Sequence, residues 1–336
     1  MKRDGCVQGL ALLALLSMAT IASATEWPIP AGFKVVNNDA LNNRVKNGDI
    51  IRYVFVEDNY EFALVFLNTG PPSSYVPAGS TFYLSLITKP GGDQSLWNTV
   101  WSANRNEPVK ENATLALESN DNLVLTDSDG TQVWSTNLPS SAAIAAATLD
   151  LTGNLQLLNK ANKTVWQSFD YPDDSLLPGQ YLKSGNSLVA AIATISYNGT
   201  DYATGKYSMK AYPGGLVLTN GTTIYYYQSA ETQQNTLHNV MYTCLHPNDE
   251  YFDISLGLEI KPDLTKTSSK RDSSICGKGD KNVAVVIGVP TPVAGVFTSQ
   301  FVRTDPDGVL RLYQYSIDSR AYKVVGSVGD PLHPMH

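Results

Sequence analysis

The residues best suited to proton transfer or metal ligation are the four histidines, His238, His246, His333 and His336. None stands in a Gly-x-Ser-x-Gly or His-Glu-x-x-His setting. The 31 Asp and Glu side chains supply many acidic pairs, but nothing in the sequence sets one pair apart as a hydrolase dyad. Gly277-Lys-Gly-Asp280 lacks the strand-to-helix context that a phosphate loop needs. Asp127-Ser-Asp-Gly130 is acidic like a calcium loop, but the downstream Glu and the regular ligand spacing are missing, so it reads as a hairpin turn. The expectation is a protein that is not an enzyme and takes no metal and no cofactor.

The elements that carry these residues are exported ones. Lys2 and Arg3 precede an apolar run from Leu10 to Ile21 that ends in Ala22-Ser-Ala24, a small-residue cleavage site, which makes 1–24 a signal peptide. No later run is long and apolar enough to span a bilayer, so no membrane span is expected. Cys6 lies in the leader, leaving Cys244 and Cys276, expected to pair in an oxidising compartment; the alternative is two free buried thiols. Asn112, Asn162, Asn198 and Asn220 stand in N-x-[ST] sequons and are the expected N-glycosylation positions. A formal charge of −7 gives no electrostatic footing for nucleic acid or an anionic membrane.

About 310 residues after the leader are enough for two domains. The chain repeats itself with a period of about 32 residues, marked by Val100-Trp101, Val133-Trp134 and Val165-Trp166. Within a unit the period is two: Leu123 and Leu125 face one way, while Asn122, Val124 and Thr126 face the other. The leucine face is core, and Trp101, Trp134 and Trp166 are expected to fill an axis shared by several sheets. Gly215-Leu-Val-Leu-Thr219 with Ile224-Tyr-Tyr-Tyr227, and later Asp305-Pro-Asp-Gly-Val-Leu-Arg-Leu-Tyr313, repeat the same logic with Tyr in place of Trp.

Val100-Trp-Ser-Ala-Asn-Arg-Asn-Glu-Pro108, the Asn122-Leu-Val-Leu unit and Val165-Trp-Gln-Ser-Phe-Asp-Tyr-Pro-Asp-Asp-Ser-Leu-Leu-Pro-Gly-Gln180 resemble the plant bulb-type (mannose-binding, G-type) lectin family. S-locus glycoproteins, S-domain receptor-like kinases and epidermis-specific secreted glycoproteins carry such segments. The resemblance implies an all-β fold, a β-prism of three four-stranded sheets, here in two tandem modules. The expected layout is the leader, an N-terminal extension at 25–47, a lectin domain at 48–172, a junction at 173–184, a diverged second module at 185–325 and a tail at 326–336.

The family's sugar pocket follows Gln-x-Asp-x-Asn-x-Val-x-Tyr, a row of alternate strand residues offering amide, carboxylate and phenol to adjacent hydroxyls. The matching row here is Glu118, Asn120, Asn122, Val124 and Thr126, in which only Asn122 and Val124 keep the family residue. A weaker row is Asp150, Thr152 and Asn154. The resemblance thus implies a secreted, apoplastic or cell-wall glycoprotein, either a carbohydrate-binding lectin for mannose-type glycans or a degenerate one acting in extracellular recognition. Two alternatives stay open, a protein-binding apoplastic glycoprotein and a truncated receptor-kinase ectodomain. Glycans or cell-surface glycoproteins are the expected partners.

Overall fold

The computed structural model describes residues 28–329 except 42, 47–48, 58–60, 69–78, 90–96, 119–121, 178–179, 183–184, 193–201, 213–214, 230–237, 249–250, 262–299 and 317. The leader, Asn120, Asn198 and Cys276 lie outside the described residues. Among the described residues, apart from two three-residue 3-10 turns, every regular element is a strand. The chain is all-β, as its alternating apolar pattern requires.

Six antiparallel sheets form two sets of three. Sheet I holds Asn43–Lys46, Asp49–Val56, Phe62–Asn68, Thr81–Thr88 and Asn98–Ser102, with Val109–Lys110 as a sixth strand paired to Thr81–Thr88. Sheet II runs in the order Gln132–Ser135, Leu123–Thr126, Thr114–Leu117, Lys34–Val36, and sheet III in the order Ile29–Pro30, Ile144–Leu149, Leu155–Asn159, Thr164–Gln167. In the second set, sheet IV holds Ser187–Ala191, Thr204–Tyr212, Gly215–Asn220 and Thr223–Ser229. Sheet V holds Tyr181–Leu182, His238–Asn248 and Tyr251–Lys261, and sheet VI holds Ser175–Leu176, Gln300–Thr304, Leu310–Ser316 and Ala321–Val328. Four strands per sheet is therefore the count in II, III, IV and VI, while I has six and V has three.

The two sets share one winding order. In each, a first short strand joins the third sheet and a second short strand joins the second sheet before the chain builds the first. Ile29–Pro30 pairs in sheet III and Lys34–Val36 in sheet II; Ser175–Leu176 pairs in sheet VI and Tyr181–Leu182 in sheet V. These strands lie in the stretches read from sequence as an extension (25–47) and a junction (173–184). The first pair is held by Arg52, whose fully buried guanidinium donates to Asn37 Oδ1 at 2.8 Å, Glu111 Oε2 at 2.9 Å and Asp39 Oδ1 at 2.8 Å. A buried cation is stable only when so paired.

The repeat is visible in the register. Leu86 lies opposite Trp101, Leu125 opposite Trp134, Leu157 opposite Trp166 and Leu218 opposite Tyr226. After each of these four leucines the pairing shifts by a bulge, which bends the strand and re-aims the side chains beyond it. The three indoles, one from each sheet, meet edge to face with ring centroids 5.9, 6.2 and 5.9 Å apart, the geometry that the ring quadrupole favours. Trp101 and Trp166 are buried and Trp134 partly so, packed on one core with Leu115, Leu123, Leu125, Leu155 and Leu157. A second core gathers Leu188, Met209, Leu216, Leu218, Tyr226, Val302, Leu310 and Leu312. Sheet I is covered on both faces: every residue of Phe62–Asn68 is buried, and its outer side forms a third cluster with Tyr83 and Tyr202.

Candidate functional site

On the outer face of sheet II the described members of the first row do not converge. Glu118 is exposed and Thr126 half-buried, and both line a shallow depression of about 470 Å³ with Gly32, Phe33, Lys34, Thr114, Ala116 and Leu117. Asn122 and Val124 are not part of that lining, and Val124 is buried. Phe33 and Lys34 come from the N-terminal strand segment, whose pairing with Thr114–Leu117 brings Lys34 opposite Ala116. Sequence reading missed them because the partner strand lies some 80 positions away.

Asn122 is turned into the protein. Its Oδ1 accepts from Leu138 N at 2.7 Å and Thr136 Oγ1 at 3.0 Å, and its Nδ2 donates to Leu138 O at 3.2 Å. Both acceptor positions of an amide oxygen are thereby used. The side chain fastens residues 136–138, as they leave the strand, to the strand before it. Asn154 occupies the same place in sheet III: it is 2 % exposed, donates to Gln167 Oε1 at 3.0 Å, and accepts from Ser168 Oγ and Phe169 N, each at 3.3 Å. Its row-mates are likewise engaged. Asp150 Oδ1 accepts from Thr152 N at 2.8 Å and Thr152 Oγ1 at 2.5 Å, and Asp150 Oδ2 accepts from Gln156 Nε2 at 3.1 Å.

The acidic turn after Thr126 is a hairpin. Asp127 N donates to Thr131 O at 2.8 Å, Gly130 takes a φ of 90°, and Asp129 Oδ1 accepts from Thr131 N at 2.9 Å. That last bond holds the Asp129 carboxyl below the usual range. Among the described residues no group of three His, Cys, Asp or Glu side chains is placed to hold a metal.

The same alternate spacing recurs in sheet VI as Asp305, Asp307, Val309, Arg311 and Tyr313, a row not singled out from the sequence. Arg311 donates to Asp305 Oδ2 at 2.7 Å and forks onto both oxygens of Asp307 at 2.8 and 2.7 Å, and Tyr313 OH donates to Asp305 Oδ2 at 2.5 Å. Burial raises the Asp305 carboxyl despite these donors, whereas at Asp307 burial is outweighed by the Arg311 bonds, the Val309 N–H and the Arg311 charge together, which lower it. Of the sequons, Asn112 and Asn162 are exposed in left-handed turns, and Asn220 is half-buried beside Gly221. Cys244 lies in the strand His238–Asn248.

Residues 98–198 match the family model of the D-mannose binding lectin domain. That stretch is a bulb-type lectin domain, and the chain is similar to EP1-like glycoproteins over most of its length. It is 31% identical to EP1-like glycoprotein 3 of Arabidopsis thaliana over 319 residues, which is 91% of this chain and 64% of that protein. It is 32% identical to the epidermis-specific secreted glycoprotein EP1 of Daucus carota, over 78% of this chain and 63% of that one. A G-type lectin S-receptor-like serine/threonine-protein kinase of Arabidopsis thaliana is 34% identical over 46% of this chain, but over only 18% of its own length. This bulb-type lectin chain thus spans a little under two thirds of the two glycoproteins. Among solved structures, a two-domain fetuin-binding lectin of Scilla campanulata overlays 77% of the chain and 93% of itself at 12% identity and a TM-score of 0.24, too loose a fit to carry an argument.

Proposed function

We propose that this bulb-type lectin chain is a secreted, extracellular recognition glycoprotein whose mannose row on sheet II is degenerate. The observation that carries the reading is the Asn122 amide, which is spent on Leu138 and Thr136 instead of facing outward. Glu118 replaces an amide donor, Asn120 a charged acceptor and Thr126 a phenol, and each lost hydrogen bond costs about 0.5–1.5 kcal/mol. A simple sugar site of about millimolar affinity holds only about 4 kcal/mol, so two or three such losses remove most of it. Any residual mannose-type recognition centres on Glu118, Asn120, Asn122, Val124 and Thr126, with Lys34 and Phe33 beside Glu118 and Thr126.

The leader at 1–24 and the exposed sequons at Asn112 and Asn162 support export and glycosylation, and the carrot relative is by name a secreted glycoprotein. Among the described residues no helix is long and apolar enough to cross a membrane. The test is a glycan array probed with the protein recovered from culture medium of plant cells expressing the full chain. Retention inside the cells overturns secretion. Strong signals confined to simple mannosides overturn degeneracy, and an array that stays blank for every glycan overturns carbohydrate recognition in favour of a protein partner.

A further inference from the structure

Two adjoining clefts lie where the first module meets the chain entering the second. One, of about 510 Å³, is walled by Trp101, Trp134, Trp166 and Tyr171 and edged by Gln132 and Asn137. The other, of about 420 Å³, runs on past Asn106, Glu107 and Thr204. They share Ser102, Ala103, Val133 and Asp173, so they form one groove with an aromatic end and a polar end. Each cleft is within the ordinary range for small-ligand sites.

The groove is built of fixed parts. Tyr171 is 56% exposed yet stacks on Trp166 at 5.6 Å and 15°, and its carbonyl accepts the Trp101 indole N–H at 2.8 Å. A flat, exposed ring is thus held rigid from below. Asp173 Oδ2 accepts from Ser102 N at 2.7 Å, while its Oδ1 takes no hydrogen bond from the described residues. The neighbouring cation does not claim it: Arg105 donates to Tyr202 O and Val189 O, each at 2.6 Å, and to Asp174 at 3.4 Å. An open carboxyl oxygen therefore stands beside an open aromatic face.

We propose that this groove is a carbohydrate site separate from the sheet rows, and that it takes a β-linked, gluco-configured oligosaccharide. Such a chain has only equatorial hydroxyls, so both faces of each ring are C–H surfaces that lie flat on Tyr171, while a ring-edge hydroxyl donates to Asp173 Oδ1 and others meet Gln132 and Asn137. Mannose, with an axial hydroxyl at C2, fits the flat ring less well. The three indoles close on one another edge to face, and Trp101 and Trp166 are buried, so the aromatic face the groove offers is Tyr171. The two joined clefts, of about 510 and 420 Å³, hold more than a single ring.

The inference rests on the reading of the chain as a glycan-recognition protein. It is tested by titrating cellohexaose into the full secreted chain by calorimetry, beside Tyr171→Ala, Asp173→Asn and, at an exposed position outside both clefts, Lys323→Ala, with near-ultraviolet circular dichroism confirming each fold. Saturable binding in the wild type is expected, weakened about tenfold or more by Tyr171→Ala and by Asp173→Asn, consistent with loss of one stacking or hydrogen-bonding contact, and unchanged by Lys323→Ala. No saturable heat up to about 5 mM, or equal affinity in the folded Tyr171→Ala variant, overturns the site. If other glycans bind on an array while cellohexaose does not, only this inference falls; if none binds, the recognition reading falls with it.

Discussion

Along the axis of the first module each sheet sets an indole opposite a leucine, whereas the second module places Tyr226 at that position in sheet IV and Gly326 opposite Leu312 in sheet VI. The register nevertheless stays the same, down to the bulge after Leu218 and after Leu312. Volume is made up by backbone that comes closer: Gly329, at a φ of 73°, passes where a Cβ would lie 2.0 Å from Leu218 Cδ1. The leucine pair and its bulge therefore set the sheet geometry, and the aromatic opposite is one of several ways to fill the space. The outer rows diverge in parallel. That of sheet II is closed by an amide and a hydroxyl, that of sheet III by an amide and the Asp150 carboxyl, and that of sheet VI by an arginine fork.

The largest expected difference between the modules is in core truncation. Trp166→Ala removes an indole that is 5% exposed and costs about 3–5 kcal/mol; Tyr226→Ala, which deletes a smaller ring from a core without partner indoles, costs about 2–3 kcal/mol. Urea unfolding of both variants decides the matter, and an equal or larger loss at Tyr226 breaks the comparison. Next is the amide clamp. Asn122→Ala strands the Leu138 amide and costs about 1–3 kcal/mol, while Thr219→Ala in sheet IV, which loses only a hydroxyl pair with Ser208, costs about 1 kcal/mol or less.

The smallest effect is electrostatic. Asp173 is pushed up to about 7 by burial, opposed by Arg105 and reinforced by Asp174, and Glu61 is pushed up to about 7 by burial and the charge of Glu57. Between about pH 4 and 7 the unfolded chain releases these protons while the folded chain keeps them. The unfolded state then binds fewer protons, so these groups make stability fall as pH rises through that window and level off above it. Thermal melts from pH 4.5 to 8 should show a shallower decline for Asp173→Asn and for Glu61→Gln than for the wild type. Parallel curves remove the assignment.

Much of this architecture is legible in the sequence because it rests on short-range patterns. Leu123 and Leu125, Leu155 and Leu157, and the evenly spaced Val-Trp pairs announce both the strand period and the shared core. What pairs over long distance is not legible. Ile29–Pro30 is too short to show a period and finds its partner at Ala146–Ala147, and the Arg52 cluster joins residues from three separate stretches. The row residues show the same limit. Asn122 keeps the family identity, yet where its amide points is decided by the bonding needs of Leu138, 16 positions on. The groove at the module seam is illegible for a related reason, since Tyr171 and Asp173 read only as members of the Val165–Gln180 segment that carries the family resemblance.

The central claim, that the sheet II row no longer grips mannose, is tested most directly by calorimetric titration of α-methyl mannoside. The two samples are the wild type and a variant carrying Glu118→Gln, Asn120→Asp and Thr126→Tyr. The account predicts little or no saturable heat from the wild type up to about 5 mM and binding tighter by about tenfold or more in the variant. Wild-type binding as tight as that of the variant, abolished by Asn122→Ala in a folded protein, would contradict it and make the row a working mannose site.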